Sequence, residues 1–595
     1  MPFRRLLPLL ALLLGLPHAA RAAEPTAAEV VATLVRQNDA RLPAWLNPAS
    51  PEAARLAQPR ESSRVLKMAA VAYTDPASRY HHDADVLAFI TRLATNLRRL
   101  QHDDGSLDAE FAMGNPQSPP DTAFALRHLA QGQTLLLRDT ASHPATAPTR
   151  ELLASLLQRG AQLLRVGGVH TPNHRWVICG ALAHLQSLNP SPANVARIDG
   201  WLGEGIDQDA DGQFSERSTI YSYVTDEGLL DLAILLNRPA LLEPIRRNLE
   251  LLLDLADADG ELETVASRRQ DQQGREPRRL YHYYIPLRHL ALALNHGRFA
   301  AAVRAIEARD LTRLTDQLAE LRQFPDLTRP LPPATPEPAT LTRVVPLSGL
   351  ARLRRGPVSA TIFGGSDWPA VRDISSGLAT NPTFFRFRKG AAVLDSVRLS
   401  PAFFNLGFFR SEGLTVSPDG RTFTLRQTQH AAYYQPLPAD RRNPNGDYPL
   451  TDDGRFYSKM DFPHRPRDEK ALTTRITVRE LPPPAAPGAF ELIFEVTDTP
   501  GIAVTLELGF RPGGTLTGAE PRTNAAEPDT FFLKTGTARY TVGSDTIEVG
   551  PGSFASARVS MTGEDYSWRG GQLRTEGPKV YLTGVTPFRH TLVIR

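Results

Sequence analysis

One cysteine stands in 595 residues. Cys179 therefore has no internal disulfide partner, cysteine-based metal clusters are excluded, and its simplest role is that of a small buried apolar side chain. Lysine is almost as scarce. Six lysines (Lys67, Lys389, Lys459, Lys470, Lys534, Lys579) leave arginine to supply the other 61 of the 67 basic groups. Arginine suits bidentate binding of carboxylates, although a coding bias toward Arg and Ala accounts for the excess as simply. Excess charge of one sign is also missing. The formal net charge is +3, and removing Arg4, Arg5 and Arg21 with a cleaved leader leaves 64 basic against 64 acidic residues. That balance removes the net-charge argument for a nucleic-acid or membrane-surface partner, though not for a local basic cleft. Beyond the N-terminus no run of about 18 apolar residues exists that could span a bilayer.

What is present begins with an export signal. Arg4 and Arg5 form a basic start, Leu6 to Leu16 an apolar run too short to cross a membrane, and Ala20-Arg21-Ala22 a small-x-small cleavage site. The sequence thus predicts a periplasmic or secreted bacterial protein cleaved near Ala22. The hydrophobic fraction of 41% is that of a globular chain.

Two periodicities divide the remainder. From residue 26 to 323, apolar residues recur at helical spacing, as in Val86–Leu100, Leu152–Leu164, Val177–Leu188, Leu229–Leu236 and Ile245–Leu255. Turn clusters separate them, among them Asp209-Ala210-Asp211-Gly212 and Asp257-Ala258-Asp259-Gly260. Residues 324–342 carry six prolines and read as a linker. From 343 to 595 the pattern alternates as in strands, for example Thr422–Leu425, Thr505–Leu508, Arg539–Val542 and Thr591–Ile594. Helix-start signals in the first half fall at Pro120–Thr122, Thr171–Asn173, Ser215–Ser218 and Arg278–Tyr281, roughly 45–65 residues apart, the length of a helical hairpin with its loops. Such hairpins stack into a solenoid or close into an α/α toroid, an incomplete barrel with the inner-helix starts on one rim. The β half reads as an antiparallel sandwich.

Three of those starts carry chemistry. In Thr171-Pro172-Asn173-His174-Arg175-Trp176, Thr171 reads as an N-cap and Pro172 as the first helical residue, which puts Asn173 and His174 in the first turn. A helix N-terminus attracts a carboxylate and disfavours imidazolium, so His174 is expected to be neutral, as a base must be. In Glu216-Arg217-Ser218-Thr219-Ile220-Tyr221-Ser222-Tyr223, a helix would place Arg217 and Tyr221 four residues apart on one face, where a guanidinium favours phenolate. The segment Arg278-Arg279-Leu280-Tyr281-His282-Tyr283-Tyr284 suits sugar stacking and anion binding, because one helical stripe does not bury so many aromatic groups.

An all-α repeat domain, then an all-β domain, in an exported chain with Asn173-His174 on one predicted inner helix and Tyr221 on the next, resembles the α/α-toroid polysaccharide lyases of the heparinase II/III-like and alginate-lyase type. The resemblance implies β-elimination on a uronic-acid-containing glycan. It implies catalytic roles for Asn173, His174, Tyr221 and Arg217, and substrate contacts from Arg175, Trp176, Tyr223, Tyr281, His282 and Tyr284. Arg175-Trp176 stands where relatives often have glycine. No cofactor is expected. A structural calcium or zinc stays open, with Asp207–Gly212 matching the first half of a calcium loop and His430 and His464 lacking ligand spacing. Two other readings stand beside the lyase: an inverting glycosidase drawing on Asp121, Asp209, Asp211 or Glu216, and a non-catalytic glycan-binding protein. In the β half, His430–Tyr434 and Asp452–Tyr457 are further candidate contact stretches.

Overall fold

The computed structural model describes residues 25–107, 115–271, 277–485, 487–523, 528–561 and 576–595. The export signal read at residues 1–22 lies outside them. Helices run from Ala27 to Gln323 and strands from Thr340 to Ile594, with one short α-helix, Trp368–Val371, among the strands.

Local chemistry starts the helices. Ser118 Oγ accepts from the Asp121 amide at 3.2 Å and opens the helix Pro119–Arg138, with proline in its first turn. Ser218 Oγ accepts from the Tyr221 amide at 3.2 Å and opens Thr219–Leu235. Each bond satisfies a backbone donor that has no partner inside the helix. The apolar stripes then bury: Val86, Phe89, Ile90, Leu93, Ala94 and Leu97 form the covered face of Ala84–Leu100. Cys179 is fully buried, and that burial pushes its thiol up to about 12.

Pro59–Thr74, Pro119–Arg138, His174–Leu188 and Thr219–Leu235 pack successively side by side, and Tyr284–Ala293 follows. Ala84–Leu100, His143–Val166, Pro192–Gly203, Leu242–Leu255 and Gly297–Asp310 back them from outside. The last α-helix before the strands, Leu318–Gln323, returns to Pro59–Thr74 and Pro119–Arg138. Lys67 pairs with Glu320 at 3.2 Å and Arg64 with Asp316 at 2.9 Å across that junction. The repeat therefore closes into a toroid, a choice the periodicity left open. Close approach of two inner helices depends on Gly228, where a Cβ would stand 2.3 Å from the Trp176 carbonyl oxygen.

Among the described residues the β region forms a nine-stranded and an eight-stranded sheet, antiparallel except where Thr530–Phe532 meets Lys579–Val585. Alternate residues of Thr422–Tyr434 point inward, and Phe423 and Leu425 lie opposite Val478 and Ile476. These side chains join the core between the sheets. The first strand, Thr340–Val345, begins within the last residues of the proline-rich segment.

The turn at Asp257–Gly260 does more than join helices. Its acidic run docks the β region: Arg388 reaches Asp259 at 2.8 Å, Arg511 reaches Glu261 at 2.7 Å, Arg386 reaches Glu263 at 2.7 Å, and Arg352 bonds Asp257. Burial works to raise the Glu263 carboxyl, and Arg386 and Arg352 overcome it, holding it down at about 2. An apolar patch of Leu251, Leu255, Val265 and Ala266 against Val345, Leu350, Phe363 and Ala379 completes the junction.

Candidate active site

The starts of the inner helices converge on one cavity of about 340 Å³, whose lining includes Arg60, Phe124, Trp176, Tyr223, Tyr281 and His282. Its floor is ionic. Arg127 pairs with Asp231 at 2.6 Å and Glu227 at 3.5 Å, and Gln131 donates to Glu320 at 3.0 Å.

Asn173, His174 and Tyr221 are not among the residues that line it; they precede, in the same first turns, Trp176 and Tyr223, which do. The helix begins at His174, later than the sequence pattern placed it, because Thr171–Asn173 form a tighter turn in which the His174 and Arg175 amides donate to the Thr171 and Pro172 carbonyls at 3.2 and 3.3 Å. Asn173 Nδ2 donates to Glu216 Oε2 at 2.7 Å, and its backbone N–H reaches the same oxygen at 3.3 Å. Glu216 in turn faces Arg269 Nε at 3.5 Å. Burial raises the Glu216 carboxyl, against the opposing pull of Asn173 and Arg269. His174 is partly buried and packs edge-on to His170 with centroids 4.8 Å apart. Burial first, then His170, Arg269 and Arg60, lower its imidazole to about 3, so it is neutral in any ordinary buffer. Asn173 Oδ1 and His174 Nδ1 are buried without a hydrogen-bond partner among the described residues.

The guanidinium at Tyr221 is not that of Arg217. Ser218 caps the helix, so Arg217 precedes it, in a left-handed backbone conformation with φ 49°, and donates to the Leu347 carbonyl at 2.8 Å. The expected Arg217–Tyr221 pair on one helical face is therefore corrected. Arg269 takes that place, its guanidinium 4.6 Å from the Tyr221 ring centroid, and the Tyr221 hydroxyl donates to Gln270 Oε1 at 3.3 Å. The segment bearing Arg269 and Gln270 is pinned at both ends. Asp271 accepts from Ser218 Oγ at 3.0 Å and from the Ile220 amide at 3.1 Å, while Arg268 forms a two-pronged pair with Asp367 of the β region at 2.8 and 2.9 Å. Gln270 Nε2 also donates to Ser376 at 3.2 Å, so the β region helps set the site.

Other expected contacts divide. Tyr223, Tyr281 and His282 line the cavity; Trp176 forms part of its wall with almost no exposed surface. Burial, then Arg278 and Arg313, lower His282 to about 4. Tyr284 is corrected: it is fully buried and its hydroxyl donates to Glu307 at 2.8 Å, because its helix turns that side outward from the cavity into the packing beneath. Arg175 is corrected too. It pairs with Asp207 at 2.8 Å and Glu204 at 3.2 Å, so its charge is already met by protein carboxylates.

The calcium-loop half-match is an inter-helix turn. Asp207 receives Arg175, Asp209 Oδ1 accepts from the Asp211 and Gln213 amides at 2.9 Å each, and Asp211 accepts from the Leu347 amide at 3.2 Å. Among the described residues no group of three or more His, Cys, Asp and Glu is arranged to hold a metal ion. His464 lies 2.6 Å from Asp461, and His430 lines a separate small cavity with Trp368 and Glu412. The stretch from Asp452 to Tyr457 ends a short two-stranded hairpin whose Tyr457 is exposed.

Sequence reasoning missed Arg60, Arg269 and Gln270, and it considered Glu216 only as a hydrolytic carboxylate. The single local signal for Arg269 was the Arg268-Arg269 pair in a stretch without helical period.

Set against solved structures, the fold is that of α/α-toroid polysaccharide lyases. A chondroitin AC lyase from Streptomyces coelicolor A3, in complex with chondroitin sulphate, matches with a TM-score of 0.52 at 14% identity, over 96% of this chain and 80% of that one. A Paenibacillus xanthan lyase matches with a TM-score of 0.51 at 12% identity, over 96% of this chain and 57% of that one. No protein-family profile and no curated protein matches the chain. Likeness at such identities is likeness of fold: a helical toroid followed by an antiparallel β-sandwich region, as the sequence pattern predicted. No helix among the described residues is long and apolar enough to cross a membrane.

Proposed function

We propose that the protein is an exported polysaccharide lyase that cleaves a uronic-acid-containing glycan by β-elimination. The observation that carries this reading is a neutral His174, and Tyr221 lying against the Arg269 guanidinium, in the first turns of the two helices whose Trp176 and Tyr223 line the cavity.

The C5 proton of a uronate is weakly acidic until its carboxylate is neutralised. Arg269 and the N-terminus of His174–Leu188 supply positive potential where the aci-carboxylate forms, and Asn173, whose Nδ2 donates to Glu216 and Thr171, adds a donor by exchanging one of those bonds. Glu216 positions both Asn173 and Arg269 for that task. His174 or Tyr221 takes the C5 proton, the C5–H electrons become the C4–C5 double bond, and the C4–O4 bond breaks as Tyr221 delivers a proton to O4. Whether base and acid are two groups or one depends on whether the C5 hydrogen and O4 share a face of the sugar. Export rests on the leader read at residues 1–22. Hydrolysis by paired carboxylates fits less well, since Glu216 is bound to Asn173, and Asp209 and Asp211 are held in turn and inter-domain bonds.

The experiment is ultraviolet absorbance of the purified mature protein with alginate, hyaluronan, chondroitin, heparan, heparin, ulvan and glucuronan. Elimination leaves a conjugated 4,5-unsaturated uronate, so absorbance rises on the true substrate. New reducing ends without absorbance would replace the lyase with a hydrolase; binding without either would make the protein a glycan-binding one.

A further inference from the structure

Five cationic side chains surround the toroid cavity, Arg60, Arg64, Lys67, Arg127 and Arg313. Arg64, Lys67 and Arg127 each have a carboxylate partner, Asp316, Glu320 and Asp231 respectively. Arg60 differs. It is the second residue of Pro59–Thr74, its side chain is open to the cavity, and its guanidinium lies 3.7 Å from the Phe124 ring centroid. Among the described residues it has no ion pair and its guanidinium makes no hydrogen bond. Desolvation lowers its pKa, and Asp121, Tyr223, Glu227 and Tyr221 pull the other way without pairing with it. Its charge is also felt at His174.

A guanidinium held against an aromatic ring keeps its N–H donors for another group, and the guanidinium fork matches an oxyanion bidentately. Arg60 is exposed and borders the cavity, so an incoming anion can reach those donors without displacing a protein carboxylate. Resting on the glycan reading above, the geometry points to Arg60 as the group that binds an anionic substituent, carboxylate or sulfate ester, of the sugar occupying the cavity. Phe124 holds the guanidinium by ring contact, and Tyr223 and Tyr281 line the same cavity and offer aromatic surface to the sugar ring. Arg269 serves the reacting carboxylate, and Arg60 a charge elsewhere on the bound glycan, so the site selects chains with anionic groups at both places.

The test is a fluorescence titration of the full chain, Arg60→Gln and Arg60→Lys, in a Tyr221→Phe background wherever a probe is cleaved. The probes are an alginate tetrasaccharide, a chondroitin sulfate tetrasaccharide and the carboxyl-reduced form of each. Arg60→Gln is expected to weaken an anionic probe roughly tenfold or more and to leave neutral, carboxyl-reduced alginate unchanged, with Arg60→Lys between. Loss that persists on carboxyl-reduced chondroitin sulfate assigns sulfate, and loss confined to the unreduced probes assigns carboxylate. If Arg60→Gln fails to fold, Arg60→Lys, which keeps the charge without the planar fork, must show the same selective loss. Equal weakening of the neutral probe, no weakening of any anionic probe, or no binding of anionic probes to the unaltered chain overturns the assignment. Selective binding through Arg60 without an unsaturated product would refute the elimination alone; elimination indifferent to Arg60 would refute this assignment alone.

Discussion

Arg269 stacks over Tyr221 at 4.6 Å while its Nε lies 3.5 Å from Glu216 Oε1, so one guanidinium links the phenol to the carboxylate that holds Asn173. A loop segment, rather than the neighbouring inner helix, thus sets the electrostatics of the site. Tyr221→Phe is expected to lower kcat by roughly 10²–10⁴-fold, the usual contribution of a positioned acid or base, with substrate Kd little changed. Arg269→Lys keeps the charge but loses the stack, and its kcat should fall by roughly tenfold or more. Initial rates and equilibrium binding on each variant check both. An unaltered kcat in Tyr221→Phe would remove the phenol from the chemistry.

The acid behaviour follows from His174. Its folded value of about 3 lies below the ordinary 6.5, so the unfolded chain binds the proton that the folded chain refuses. Neutral His174 therefore favours the fold fully above pH 6.5, and that contribution declines as pH falls from 6.5 toward 3. His282, at about 4, acts in the same direction. The unfolding temperature of the unaltered protein should drop more between pH 7 and pH 5 than that of His174→Gln. Parallel pH profiles for the two would contradict the buried neutral imidazole.

Much of this architecture was legible in the sequence, for physical reasons. The helical stripes and strand alternation were readable because burial imposes a period of 3.6 or 2 directly on the apolar residues, as in Val86–Leu97 and Thr422–Leu425. Ser118 and Ser218 cap helices near the expected starts because capping is local chemistry. Arg217 was misplaced by a shift of two residues in one helix start, enough to send a guanidinium to another domain. Arg269, Gln270 and Arg60 were not legible because they reach Tyr221 and the cavity through loop and ring closure, contacts that no local period encodes. Tyr284 and Arg175 show the converse, residues of suitable type whose partners, Glu307 and Asp207, lie elsewhere in the chain.

The inter-domain junction gives a stability prediction. Glu263 and Arg386 form a contact of 2.7 Å with side chains 4% and 14% exposed. Arg386→Met leaves a buried carboxylate short of one cation, at a cost of about 3 kcal/mol, read by chemical denaturation near neutral pH. The carboxylate's contribution is complete above its ordinary value of 4.5 and is lost as pH falls toward 2, so the difference between the two proteins should shrink in acid. A cost under about 1 kcal/mol would class the contact with surface pairs.

Packing of the two central helices gives another. Gly228→Ala would place a methyl 2.3 Å from the Trp176 carbonyl oxygen, between helices that carry His174 and Tyr221. Backbone must move, and the expected loss is about 1–3 kcal/mol, with kcat falling because the two groups separate. A variant as stable and as active as the original would show that the helices tolerate a wider spacing.

The central claim is elimination, and product mass in water labelled with heavy oxygen tests it most directly. The unaltered protein is incubated with the glycan it cleaves, and the oligosaccharides are weighed by mass spectrometry. The account predicts that the fragment with the new non-reducing end carries a double bond there and is one water lighter than its hydrolytic counterpart, and that cleavage itself puts no label into either fragment. Fragments carrying one labelled oxygen and no unsaturation would show hydrolysis and contradict it.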